Sequence, residues 1–238
     1  MLRKALAQLG SDRKSNFTKR SHEIQRIETF SDAIFAFALT LLIVSLEVPK
    51  SFDELMVSMR GFFAFGISFV LLAFIWHEQN VFFRRYGLDD TWTLVLNFTL
   101  DFVVLFYVYP LKFLFTLLFS DEIYGAGRSP FKMTDQQMPT LMMVYGTGFL
   151  IIYLLFLAMY SIVLRKKEEL QLTRQELYDT RTKMYSKFIF IGIGLAVILM
   201  AYLLPPAYAG TTGLGFMLLF PALTFYYSYR GRIRRRMG

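Results

Sequence analysis

Residues 26–42 read RIETFSDAIFAFALTLL, and this segment governs how the rest of the chain is interpreted. The charge-free stretch that follows Asp32, residues 33–46, has 14 residues, which is short for a helix that crosses a bilayer on its own. An ionisable side chain left unpaired in hydrocarbon costs about 3 kcal/mol or more, so Asp32 is unfavourable next to lipid. The segment therefore predicts a helix that lies inside a bundle of helices or beside water.

The composition places most of the chain in a membrane. Of the 238 residues, 55% are hydrophobic and 18% are charged, which is too apolar for a soluble domain. The apolar residues form blocks long enough to cross a bilayer as helices, at 27–47, 55–83, 91–119, 138–164, 184–205 and 208–229, with the last two divided at residues 204–207. We therefore predict an all-α integral membrane protein with six transmembrane helices in residues 27–229, preceded by a cytoplasmic basic arm, 1–26, and followed by a cytoplasmic basic tail, 230–238.

Positive charge is concentrated between these blocks. The formal net charge is +8, and most of the Lys and Arg residues lie in 3–26, 84–85, 165–187 and 230–236. Basic loops tend to stay on the cytoplasmic side of a membrane, so both termini of this multi-pass protein are predicted to be cytoplasmic. This placement favours membrane lipid as a partner and argues against nucleic acid.

Few side chains could support enzyme chemistry or metal binding. The chain has no cysteine and only two histidines, His22 and His77, so we predict no metal site and no cofactor. Acidic, nucleophilic and histidine side chains do not converge in the sequence, so we predict that the protein is not an enzyme. One acidic residue near the middle of the third span, Asp101, leaves a proton-conducting channel or a proton-coupled carrier as an alternative function.

The first helix carries a stripe of residues at helical spacing. At 100° per residue, one face collects Arg26, Phe30, Ala33, Phe37, Leu41 and Val44, with Thr40 at its margin. Such a stripe is typical either of a surface where helices pack or of a pore lining that meets its symmetry mates. Asp32 points about 140° away from Phe37, so its carboxylate is expected to face a neighbouring helix.

A resemblance to a known family begins at this helix. Arg26, Phe30, Ser31 and Asp32 resemble the R-x-x-x-F-S-D signature that opens helix one in the transmembrane protein 175 family, which is known from endosomes, lysosomes and prokaryotes. Two further features are similar: Trp76-His77 in the second span, and Asn97 with Pro110 in the third. The resemblance implies a homotetramer whose helix one lines a central pore that conducts potassium ions in preference to sodium. For a prokaryotic member it implies the plasma membrane.

The resemblance also implies roles for individual residues. The apolar constriction falls on Phe37, Leu41 and Val44, and the hydroxyl that contributes to selectivity falls on Thr40. Phe37 departs from the Ile or Leu expected there, so either Phe37 or Leu41 forms the narrowest point. A second set, which we call the polar lock, combines the helix-one signature with its expected contacts at the cytoplasmic end and consists of Arg26, Phe30, Ser31, Asp32, Trp76, His77 and Asn97. Within it, Ser31, Asp32, Trp76 and His77 are expected to form either a lock through which gating acts or a static clasp. The guanidinium of Arg26 requires an acidic partner on a neighbouring helix.

Selectivity in such a pore cannot come from a carbonyl filter. The Thr-Val-Gly-Tyr-Gly loop of other potassium channels is absent, and residues 145–148, which read YGTG, are better explained as small residues that allow close helix packing. The hypothesis is that the apolar ring forces ions to lose part of their water, which penalises sodium more, while Thr40 oxygens replace some of that water.

Overall fold

The computed structural model describes Phe17, Arg20 and residues 25–44, 50–125 and 133–235. All regular secondary structure in this part is helical, which confirms the predicted all-α class. The long helices, labelled in chain order, are α1 (Arg26–Val44), α2 (Phe52–Tyr86), α3 (Thr91–Leu118), α4 (Met138–Arg165), α5 (Arg174–Leu203) and α6 (Leu219–Arg235). Short helical segments occupy Ser120–Tyr124, Asp135–Gln137, Pro206–Ala209 and Gly210–Leu218.

Within the described residues, five helical segments are long and apolar enough to cross a membrane. They are α2, α3, α4, α5 and the continuous stretch Pro206–Arg234 that ends in α6. Large apolar side chains remain exposed on these segments, including Phe63, Phe106 and Phe220. Exposure on this scale suits contact with lipid or with other subunits rather than with water.

The predicted fifth span begins at residue 184, and the helix that contains it, α5, begins ten residues earlier, at Arg174. A capping box begins α5 at Arg174: the Thr173 hydroxyl accepts a hydrogen bond from the Glu176 backbone N–H at 3.2 Å, and the Glu176 carboxylate accepts one from the Thr173 N–H at 2.9 Å. The apolar block marks only the part that fits a membrane, while the cap fixes the start of the helix. The predicted break between the last two spans is confirmed, because α5 ends at Leu203 just before Pro205.

The start of α3 is tied to the end of α4 through Asp90. Its carboxylate accepts hydrogen bonds from the Thr93 backbone N–H at 3.3 Å and the Thr93 hydroxyl at 2.9 Å, and forms an ion pair with Lys166 at 3.1 Å. Partial burial raises the pKa of Asp90, but the bonds from Thr93 and Lys166 outweigh it and hold that pKa below its usual range. Asp90 therefore stabilises this junction at neutral pH, and its contribution is lost only as the pH falls through its lowered pKa.

The core of the chain forms where α4 crosses its neighbours. α4 packs most extensively against α5 and also against α3, while α1 packs against α2 and α3. A Cβ at Gly146 would lie 2.5 Å from Cγ1 of Ile198, and one at Gly148 would overlap the Tyr107 ring, so both positions require glycine. The predicted use of these glycines for close packing is confirmed.

Candidate functional site

Helix α1 has one buried face and one open face. The buried face, each residue of which is at most 8% exposed, consists of Ile27, Ser31, Phe35, Ala38 and Leu42. The open face consists of the exposed residues Arg26, Phe30, Ala33, Phe37 and Thr40. Spacing of three or four residues within each set separates them around the helix, so the scaffold of α2 and α3 covers only one side of α1.

The open face carries most of the residues predicted to line a pore. Phe37 is 56% exposed, Leu41 is half-buried at the margin, and the side chain of Val44 lies outside the described residues. Phe30 is 51% exposed but also packs edge-on against the Phe98 ring of α3, at a centroid distance of 5.5 Å. An apolar face of this kind is stable only when lipid, another subunit or a narrow wet pore covers it.

Thr40 presents a hydroxyl on the open face. Its Oγ1 donates a hydrogen bond to the Ala36 carbonyl oxygen one turn earlier, at 2.9 Å. The proton is thereby directed to the backbone, while the oxygen lone pairs stay available on the exposed side. This arrangement allows the hydroxyl oxygen to coordinate a cation.

Behind the open face, four buried side chains form what we call the inner network: Ser31, Gln79, Asn97 and Asp101. Ser31 donates to Asp101 at 2.7 Å and accepts a bond from the Asn97 amide at 2.8 Å. The Gln79 amide donates to Asn97 at 2.5 Å and to Asp101 at 3.1 Å, and the Asn97 amide also donates to Asp101 at 3.2 Å. The inner network therefore joins α1, α2 and α3 through side chains that are each at most 2% exposed.

The inner network includes two residues that sequence reasoning did not place there. Gln79 was not singled out, and Asp101 was considered only as a proton-carrying group. Asp101 accepts bonds from three side chains and has no ion-pair partner among the described residues. The available signal was spacing, since Asp101 lies four residues after Asn97 on the same face of α3 and Gln79 lies three residues after Trp76 on α2.

Asp32 makes a separate contact at the edge of the inner network. The Trp76 indole N–H donates to the Asp32 carboxylate at 2.7 Å, so Asp32 faces α2, in agreement with its predicted direction. Two other members of the predicted polar lock lie apart. His77 and Arg26 are exposed, and within the described residues neither makes a hydrogen bond or an ion pair. The acidic partner expected for Arg26 is thus not found in the described part of this chain.

Both ends of α1 are fixed to the scaffold. At its start, the Gln25 side-chain amide donates to the Gly87 carbonyl oxygen at 3.2 Å, which ties α1 to the end of α2. In its last turn, the Lys112 ammonium on α3 donates to the Leu42 carbonyl oxygen at 2.9 Å. A cation at this position also complements the negative end of the helix dipole. α1 is therefore held at both ends and along its buried face.

Comparison with known sequences gives three matches. The sequence model of the endosomal/lysosomal potassium channel TMEM175 matches residues 26–108, which contain α1, α2 and most of α3. A curated potassium channel of Marivirga tractuosa is 38% identical over 213 residues, covering 86% of this chain and 85% of that protein. A curated potassium channel of Streptomyces collinus is 29% identical over 107 residues, covering 42% of this chain and 52% of that protein.

Two solved structures are similar to the chain over most of its length. A variant of the potassium channel MtTMEM175, in complex with a nanobody–MBP fusion protein, superimposes with a TM-score of 0.77 at 35% identity and covers 93% of this chain and 97% of that one. The lysosomal potassium-selective channel TMEM175 homologue from Chamaesiphon minutus gives a TM-score of 0.55 at 19% identity, covering 86% and 96%. The second likeness concerns the fold alone.

Proposed function

The chain belongs to the TMEM175 family of potassium channels, and from that premise we propose that it conducts potassium ions through the central pore of a homotetramer lined by the open face of α1. The family predicted from the sequence is thereby confirmed, and members of this family are channels rather than enzymes. The open face is the observation that carries the proposal. It is apolar around Phe37, carries one hydroxyl at Thr40, and is left uncovered within the described part of the subunit.

In the proposed channel, α1 also crosses the membrane, which adds a sixth transmembrane helix to the five segments described above. Its 19 residues extend about 28 Å at 1.5 Å per residue, close to the thickness of the hydrocarbon core. Of the two acidic residues near its start, Glu28 is buried against the scaffold and Asp32 accepts a hydrogen bond from Trp76, so neither needs to enter lipid. A helix with one scaffold face and one apolar open face is suited to a position at the centre of an assembly.

Conduction would depend on partial dehydration of the ion. Phe37, Leu41 and Val44 are proposed to form the apolar constriction, where sodium loses more favourable hydration than potassium does. The Thr40 hydroxyl oxygens of four subunits would replace part of the lost water. A carbonyl filter is not needed in this mechanism, in keeping with the absence of a Thr-Val-Gly-Tyr-Gly loop from the sequence.

The proposed orientation places both termini in the cytoplasm of a prokaryotic cell, with the chain in the plasma membrane. Contacts at one end of the bundle support a common side for the basic segments. They join Gln25 to Gly87 at 3.2 Å, Asp90 to Lys166 at 3.1 Å and Asp179 to Arg234 at 2.8 Å. The helix ends that carry most of the basic residues thus lie together, as expected for the cytoplasmic side.

Ion flux from liposomes tests the function. Purified protein in liposomes is expected to release potassium down its gradient well above the rate for sodium, with a protonophore present so that charge balance is not limiting. Equal leak of both ions would contradict the proposed selectivity. Flux of protons alone, read with a pH-sensitive dye in liposomes without the protonophore, would favour the alternative proton-conducting channel or proton-coupled carrier.

The Thr40→Val variant tests the hydroxyl ring. Valine keeps the volume and removes the oxygen, so we expect the permeability ratio of potassium to sodium to fall about fivefold, the equivalent of one net hydrogen bond of about 1 kcal/mol. Reversal potentials under a potassium–sodium gradient measure the ratio. Thr99→Val is the matched control, because Thr99 is also exposed and donates to the carbonyl one turn earlier, at 2.8 Å, but lies on α3. An unchanged ratio in Thr40→Val would remove the hydroxyl from the mechanism.

A further inference from the structure

A short stretch of α2 makes contacts in two directions. Trp76 binds Asp32 of α1 at 2.7 Å, and Gln79 donates to Asn97 and Asp101 in the inner network. Glu78, between them in the sequence, turns away from α1 and towards α5. Because consecutive residues of a helix project about 100° apart, one turn of α2 contacts both the pore helix and the α5 side of the scaffold.

Glu78 binds two lysines of α5. Its carboxylate lies 2.8 Å from the ammonium of Lys183 and 2.5 Å from that of Lys187. Glu78 is 6% exposed and Lys187 is 1% exposed, so this is a buried ionic cluster with one negative and two positive charges. Four aromatic rings surround the Lys187 ammonium at centroid distances between 5.2 and 5.7 Å, those of Tyr153, Phe156, Tyr160 and Phe190.

Stability alone does not account for this cluster. Taking two charges out of water costs several kcal/mol per ion, and apolar residues of similar volume often serve a core as well or better. The cluster instead bridges two helices whose backbones make little close contact, α2 and α5. A second contact between α2 and α5 is the hydrogen bond between the hydroxyls of Tyr86 and Thr180, at 2.9 Å.

The cluster also extends to α6. The Lys183 ammonium lies 5.7 Å from the centre of the Tyr227 ring, and the Tyr227 hydroxyl donates to Ser186 of α5 at 3.0 Å. The α5–α6 pair is therefore connected through Glu78 to the turn of α2 that holds α1. Glu78 and Gln79 share one turn of α2, and the Gln79 amide donates to Asn97 at 2.5 Å.

We propose that Glu78 is a positioning residue for conduction, which transmits the position of α5 and α6 through Trp76 and Gln79 to the pore helix. This inference rests on the proposed function, since it assumes that α1 lines the pore. Glu78 acts by keeping the inner network under the buried face of α1, so that the open face stays aligned around the axis. The residue touches neither the ion nor the open face, and selectivity is not its role.

The test uses Lys187→Met in the full-length protein. This variant leaves Glu78 paired with Lys183 and avoids an unpaired buried charge. We expect potassium flux per reconstituted tetramer to fall at least about threefold, within the range by which distant contacts modulate coupled sites. The permeability ratio of potassium to sodium is expected to stay at the wild-type value. The control is Arg234→Met, which removes the 2.8 Å ion pair with Asp179 between α6 and α5 and leaves α2 untouched.

A double-mutant cycle separates positioning from mere structural support. Lys187→Met and Trp76→Phe are expected to be non-additive in flux, since both act on the same turn of α2. Unchanged flux in Lys187→Met, or effects of the two variants that simply multiply, would overturn the inference. If Lys187→Met does not assemble, the charge-balanced Glu78→Gln/Lys187→Met variant is measured under the same criteria. Absence of potassium flux from wild type would instead refute the proposed function itself.

Discussion

Replacing Phe37 with alanine is expected to raise potassium flux per tetramer about tenfold or more and to lower the preference for potassium over sodium. Phe37 is 56% exposed on the open face, so four of its rings would meet at the axis of the proposed pore. Alanine removes the rings and lets ions pass with more of their water. A barrier lowered by about 1.4 kcal/mol raises a rate tenfold. Flux from liposomes and reversal potentials provide the two measurements.

Two comparison variants make the Phe37 result interpretable. Phe106→Ala removes the same ring from α3, where Phe106 is 72% exposed and is not part of the open face of α1, and is expected to leave flux unchanged. Leu41→Ala addresses which residue forms the narrowest point: the variant with the larger gain in flux marks the tighter ring. If Phe37→Ala behaves like Phe106→Ala, the constriction does not include Phe37 and the proposed pore lining must be revised.

The helical class, most helix positions and the two faces of α1 could be predicted from sequence because they depend on local patterns. Apolar blocks mark the spans, and a 100° rotation per residue placed Phe37 and Asp32 on different sides of α1. Helix ends could be predicted less well where the apolar block does not begin or end at the capping residue. The α5 helix starts at Arg174 because Thr173 and Glu176 form a capping box, well before its apolar block.

Partner choice within the site could not be predicted from these patterns. Sequence spacing does not say which helix lies opposite another, so Gln79 and Glu78 were not assigned partners on α3 and α5. His77 was grouped with Trp76 on the strength of the family signature, yet adjacent residues point in different directions and His77 is exposed. Long-range pairs such as Glu78 with Lys187, at 2.5 Å, require the folded arrangement of the helices.

The contacts around α1 differ between its two faces, and we expect the two faces to have different roles. The inner network, Lys112 and Gln25 fix the helix to α2 and α3. The open face is free of polar side-chain contacts to other helices in the described part of the chain, and its Thr40 bonds only within α1. In the proposed pore, support on one face would allow the other to present a narrow, nearly apolar surface to ions. Variants on the two faces should therefore affect stability and selectivity differently.

Replacing Asn97 with alanine tests that division and is expected to destabilise the protein strongly. Asn97 makes bonds with Ser31, Gln79 and Asp101, and alanine leaves all three without that buried partner. With about 1 kcal/mol or more for each lost bond, the expected cost is about 3 kcal/mol per subunit. The melting temperature should fall by about 6–12 °C, and potassium flux should fall as α1 loses its support.

The matched control for this prediction is Asn80→Ala. Asn80 lies on α2 beside Gln79, is partly exposed, and its side chain makes no hydrogen bond to the described part of the chain. Its removal is expected to leave the melting temperature within about 2 °C, because surface changes usually cost at most about 0.5 kcal/mol. Equal melting temperatures for the two variants would mean that the inner network does not anchor α1. A large loss of stability with unchanged flux would show that conduction does not depend on this anchor.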